Sequence, residues 1–201
     1  MIQLEEETGA DLWDAPVRQE HRRLKKGALV LDSALSIETS SLSRRVVLSW
    51  GLKNLWPELD MHLRKEEEAL FPSLERLLGR DSGARAMLHR EHEDLRAGFR
   101  HLAELVQDPT HLEWDRIELA VEGFLYLLEE HEKLEDRLLL NVLAHRMGKK
   151  ELAAVSEEFL RVEERVRAEE GWPKPERGYT GNTYGLRTDR IRSQNPSGCG
   201  P

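Results

Sequence analysis

Two segments of the chain repeat one chemical pattern: His62 is followed four residues on by Glu66, and His131 by Glu135. Residues four apart lie about 6 Å apart on one helix face, close enough for an imidazole and a carboxylate to reach one metal site. Acidic residues fill 38 of 201 positions. By composition, two given histidines would both be followed by an acid at that spacing only about one time in thirty. Two further histidines, His21 and His92, interrupt apolar stripes of their own. The order along the chain is therefore His, HisxxxGlu, His, HisxxxGlu.

The stripes show where these side chains must point. At alternating steps of three and four, the apolar positions of the first segment are Val17, His21, Leu24, Ala28, Leu31 and Leu35. The second reads Leu48, Leu52, Leu55, Leu59, His62, Glu66, Leu70, and the third Leu88, His92, Leu95, Phe99, Leu102. The fourth reads Ile117, Val121, Phe124, Leu128, His131, Glu135, Leu138, Val142. On helices, these polar residues face the core. Burying them unaided would cost several kcal/mol for each ionised group, against a domain stability of about 5 to 15 kcal/mol. Two divalent cations would compensate two carboxylates and four neutral imidazoles, and six ligands suit two metals better than one.

The elements that position them are all helical, with no competing strand pattern. Asp14 caps a helix opened by Pro16 and running from about 16 to 37. A second helix runs from about 43 to 70, kinked at Pro57, and Phe71-Pro72 ends or bends it before a continuation to Leu78. After a Gly79–Gly83 loop come a third helix, about 83 to 107, and a fourth, about 113 to 146. A fifth amphipathic segment, about 149 to 169, carries Leu152, Val155, Phe159, Val162 and Val166 on one face. The expected fold is an all-α, up-down-up-down four-helix bundle with a fifth helix, spanning 16–170, after a short segment 1–15. Glu66 and His92 are each about 12 to 14 residues from the loop near 80, and His92 and His131 about 18 to 21 from the one near 110. One layer can hold all six ligands.

Residues 171–201 change to Gly, Pro, Asn, Thr, Ser and Arg, which predicts a flexible tail with five basic and two acidic residues. Trp172, Tyr179 and Tyr184 could anchor it on a protein partner. The formal charge of −8 argues against nucleic acid and anionic membranes as partners. No stretch has the roughly 20 apolar residues of a membrane span, and the acidic N-terminus is unlike a signal peptide, which predicts a cytoplasmic protein. The single cysteine, Cys199, excludes an internal disulfide and a multi-thiolate metal site. His89, His101, His111 and His145 read as surface residues, His89 alone being close enough to His92 to serve as an additional ligand.

The stretch from His62 through Glu66 to Leu70-Phe71-Pro72, with Glu91-His92 and the following Leu95-Arg96, and His131 with Glu135, is similar to the hemerythrin-like cation-binding (HHE) family over about residues 16 to 146. The resemblance implies a four-helix bundle holding an oxo- or hydroxo-bridged, non-haem di-iron centre, on which Glu66 and Glu135 bridge or chelate the irons. It also implies binding or sensing of O₂, NO or iron. The oxygen carriers of the family have HisxxxHis in the third helix, where this chain has Leu88 before His92. They also place an Asp five residues after the fourth-helix histidine, where Asp136 stands, but Glu135 is the residue on the stripe. The hard ligand set suits iron or manganese better than copper, with zinc an alternative.

Three functions follow from this reading. The first is a di-iron module that binds or senses O₂, NO or iron and relays its state through the fifth helix and tail. The second is a di-iron oxidoreductase acting on peroxide or O₂. The third is a metal-free helical interaction protein, in which apolar replacements of the six residues would stabilise the fold. No separate general base, nucleophile or phosphate loop accompanies the site, so nothing specifies an organic substrate or a catalytic residue.

Overall fold

In the computed structural model, residues 13–37, 40–80, 83–108 and 114–171 are described. The tail expected at 171–201, with Cys199 and its aromatic anchors, lies outside them beyond Gly171, as do residues 1–12 and His111. The helices are α1 (Ala15–Leu35), α2 (Ser41–Lys65), α3 (Phe71–Leu78), α4 (Ala84–Gln107), α5 (Trp114–Leu134), α6 (Asn141–Arg146) and α7 (Lys149–Glu170). A π-helical turn, Glu66–Leu70, joins α2 to α3, and a second, Glu135–Leu140, joins α5 to α6. Four rods result, α1, α2–α3, α4 and α5–α6, with α7 as the fifth: the all-α bundle that the stripes predict.

Local chemistry sets the ends, not always as expected. Ser40 caps α2, its hydroxyl accepting the Ser43 N–H. Asp14 does not cap α1 with its side chain; its carboxylate instead pairs with Arg18 at 2.7 Å, one turn on. Pro57 lies inside α2, which runs from Ser41 to Lys65. Phe71-Pro72 does not end the second rod either, because Pro72 falls in the first turn of α3, where a missing N–H costs little. The left-handed Gly171, φ 66°, closes α7.

The π turns change which residues face inward. The Phe71 N–H reaches back five residues to the Glu66 carbonyl, and Asn141 does the same to Asp136. A π turn holds one more residue than an α turn, so every later side chain is rotated about the axis. The fourth stripe was expected to continue through Leu138 and Val142. Instead Leu139, Leu140 and Leu143 are fully buried and Leu138 and Val142 only partly so.

Two apolar clusters fill the bundle. One is built on Leu24, Leu55, Leu59, Leu95, Val121 and Leu128. The other is built on Val17, Leu70, Phe71, Leu88 and Leu139 together with the apolar face of α7. All five residues expected on that face are buried. In every rod the candidate ligands fall between a residue of the first cluster and one of the second, so they form a polar layer across the bundle.

Candidate metal centre

Each of the first four rods delivers its share to that layer. His21 comes from α1, His62 and Glu66 from the junction of α2 and the first π turn, His92 from α4, and His131 and Glu135 from the junction of α5 and the second π turn. His62, Glu66, His92 and Glu135 are 0% exposed, His131 1% and His21 7%, so the layer is closed to bulk water except near His21. Neighbouring imidazoles meet edge to face: His21–His62 and His92–His131 have centroids 5.0 Å apart, and His62–His131 5.8 Å.

The ring Nε2 atoms converge on the two carboxylates. His21 Nε2 lies 2.6 Å from Glu135 Oε2, and His62 Nε2 2.9 Å from Glu66 Oε1. His92 Nε2 lies 3.1 Å and His131 Nε2 3.7 Å from Glu66 Oε2. In each of two groups the donor atoms all lie within 4.8 Å of one another: His21, His62, Glu66 and Glu135, and Glu66, His92 and His131. Glu66 belongs to both, with one oxygen facing each group.

Outside the layer lies a ring of acids that the stripes did not reveal. Glu20 of α1 accepts from His62 Nδ1 of α2 at 3.2 Å, and Glu67 of the first π turn accepts from His92 Nδ1 of α4 at 2.8 Å. Glu91 of α4 faces His131 Nδ1 of α5 at 3.6 Å. Each acid adjoins a candidate ligand in sequence but serves the histidine of the next rod. The signal was present in Glu20-His21, Glu66-Glu67 and Glu91-His92. One residue is about 100° round a helix, so an acid beside an inward residue points at the neighbouring helix. Glu132, beside His131, breaks the pattern by pairing with Lys25 of α1 at 3.0 Å.

The electrostatics are those of a crowded layer. Burial alone would raise Glu66, yet the charge and hydrogen bonding of His62, with His92, hold it well below the usual carboxylate range. Burial, reinforced by the charge of Glu66, pushes Glu135 up to about 7. Burial opposes the charging of His21, His62 and His92, but the carboxylates beside them outweigh it and raise all three. His131, with weaker support from Glu91, is lowered by burial. Glu67 is held at about 2: burial opposes its charge, and His92 and Arg96 override burial.

The donors fit cations. His62 Nε2, Glu66 Oε1, Glu135 Oε1 and both ring nitrogens of His131 are buried with no hydrogen-bond partner, His62 and Glu66 being close but misaligned. Buried polar atoms are nearly always satisfied. A set of imidazole nitrogens and carboxylate oxygens is one that iron, manganese or zinc accepts. The arrangement is geometrically consistent with a two-metal site.

The other sequence candidates fall outside it. Asp136 is exposed where Glu135 is fully buried. His89 is partly exposed, accepts from Arg85 and packs its ring on Phe71, 5.1 Å away. His101 is exposed, and so is His145, which bonds its own helix at the Asn141 carbonyl. No helix of the described residues is long and apolar enough to cross a membrane. A family model described as the hemerythrin HHE cation binding domain matches residues 15–143. No curated protein and no solved structure matches.

Proposed function

The chain belongs to the hemerythrin HHE cation-binding domain family, and from that membership and the layer's geometry we propose that it holds two non-haem iron ions and binds or senses O₂, NO or iron itself. His21, His62, Glu66 and Glu135 would hold one ion, and Glu66, His92 and His131 the other. The observation that carries this is the set of buried, unpartnered nitrogen and oxygen atoms that converge there on two overlapping groups. A metal-free bundle has no physical reason to keep them.

Iron, when bound, supplies a redox-active Lewis acid able to take a small diatomic ligand. The protein's part is to position and to exclude. Glu66 presents one oxygen to each group and would bridge them. The group of His92 and His131 has one fewer protein donor, and Leu88, one turn before His92 in α4, adds none. An ion held there would have fewer protein donors, which would leave room for O₂ or NO to bind. The two apolar clusters keep bulk water from the layer, and the acids on Nδ1 fix the imidazoles of His62 and His92.

Anaerobically purified protein should carry about two irons per chain, with charge-transfer absorption that changes on exposure to O₂ or NO. A His62→Ala/Glu66→Ala variant should lose both. Manganese or zinc at the same stoichiometry would keep the site and change the chemistry. No metal after reconstitution with ferrous iron would sink the reading.

A further inference from the structure

Lys65 is among the largest of the fully buried side chains, 1% exposed, and it is not among the candidate ligands. Lysines are almost never buried to that degree unless paired. Its ammonium is held between Glu20 of α1 and Glu163 of α7, bonding Glu20 Oε1 directly and Glu163 Oε2 at 2.7 Å. The same nitrogen lies 4.0 Å above the ring of Phe159, also of α7. Glu20, 3% exposed, uses its other oxygen to accept from His62 Nδ1.

We propose that Lys65 is a positioning residue for His62, acting through Glu20, and that the fifth helix holds it in that role through Glu163 and Phe159. This rests on the metal-centre reading. An ionised carboxylate can only accept hydrogen bonds. Fixed between Lys65 and Arg23, the latter 3.4 Å from Oε1, Glu20 stays an acceptor. In the neutral ring the Nδ1 of His62 must then carry the hydrogen, and Nε2 is left as a lone pair facing the first group of donors. The companion arrangement on the other group has a cation from within the bundle: Arg96 holds Glu67 at 2.7 and 3.2 Å, and Glu67 holds His92.

The two groups share Glu66 but have separate outer supports, and of these only the Lys65–Glu20 support uses residues of α7. That helix lies beyond the residues 15–143 that the family model matches, yet it packs on the first π turn and on α2. The metal centre and α7 form one functional unit over 16–170.

The test uses the full chain, loaded with ferrous iron, and follows loss of each metal to a chelator in the Lys65→Met, Lys65→Arg, Glu163→Gln and Arg96→Met variants. Outer partners of metal ligands typically change affinity by about 10–100-fold. Lys65→Met should speed one of two release phases by about that factor, the phase that also responds to His21→Ala, and leave the other unchanged. Glu163→Gln should move the same phase less, Lys65→Arg should restore it, and Arg96→Met should move the other. Equal acceleration of both phases, or none in a folded variant, would overturn the proposal while leaving the metal centre standing. Imidazole ¹⁵N shifts of the metal-free chain, at a pH where His62 is neutral, decide the claim separately. Lys65→Met and Glu163→Gln should lose the Nδ1–H preference of wild type; unchanged shifts in both overturn it. A wild type that takes up no metal would instead refute the metal-centre reading.

Discussion

Among the six buried residues, Glu66 and Glu135 look alike in sequence and differ in what surrounds them. Glu66 is shared by both donor groups and held ionised by His62 and His92, whereas Glu135 belongs to one group and is pushed up to about 7 by burial and by Glu66. Replacing them should have unequal effects. Glu66→Gln should abolish uptake of both metals, and Glu135→Gln should weaken one by more than the about 10–100-fold that loss of an outer partner costs. Asp136→Asn, on the exposed side of the same turn, should leave both in place. Metal-free Glu135→Gln should also be more stable than wild type at pH 8, by on the order of 1–3 kcal/mol, because the substitution removes a buried carboxylate that resists ionising. Metal titration with calorimetric melts checks both statements. Equal losses for the two glutamates would contradict the shared role of Glu66.

Helix stripes made the buried His/Glu layer legible because α-helical phase is reliable up to the point where each HisxxxGlu pair begins. Glu66 and Glu135 open π turns, and past them the phase slips, so Leu138 and Val142 were expected where Leu139 and Leu143 are buried. No residue pattern in either turn announces the extra residue; both turns sit at the buried polar layer, as π turns at functional sites often do. The buried off-stripe residues Met61 and Lys65 are legible only once α7 is known to cover that side of α2. Helix contacts also make predictions of their own. A Cβ on Gly51 of α2 would stand 2.8 Å from Leu31 Cδ2 and 3.2 Å from Val30 Cγ1, in the close approach to α1. Leu31 is fully buried and cannot yield freely. Gly51→Ala should therefore destabilise by about 1 kcal/mol or more, despite alanine's better helix propensity. Gly123 of α5 faces open space, so Gly123→Ala should stabilise by about 0.5–1 kcal/mol. Chemical denaturation of both would show opposite signs; a stabilising Gly51→Ala would mean that the α1–α2 packing relaxes at no cost.

At the scale of the whole molecule, the polar layer sets metal-free stability against metal binding through pH. In the metal-free chain His21, His62 and His92 are raised above 6.5, so their contribution is full below about 6.5 and is lost as pH rises through their folded values. Glu135 acts in the same direction, its contribution present below about 4.5 and gone above about 7. Glu66 and Glu67, both lowered, stabilise above about 4.5, and Glu67 loses its share only as pH falls towards about 2. His131, lowered by burial, opposes the trend, its contribution being full above about 6.5 and lost as pH falls through its folded value. The metal-free bundle should thus lose stability between about pH 5 and 8. Metal binding needs neutral imidazoles and ionised carboxylates, so it releases protons and tightens over the same interval. The melting temperatures of loaded and metal-free protein should then lie close together near pH 5 and diverge towards pH 8, with proton release on loading largest at the acid end. Calorimetry across that range, in buffers of differing ionisation enthalpy, measures both quantities. A constant gap and no proton release would mean that these residues do not change protonation when metal arrives, and that the layer is not the place where it binds.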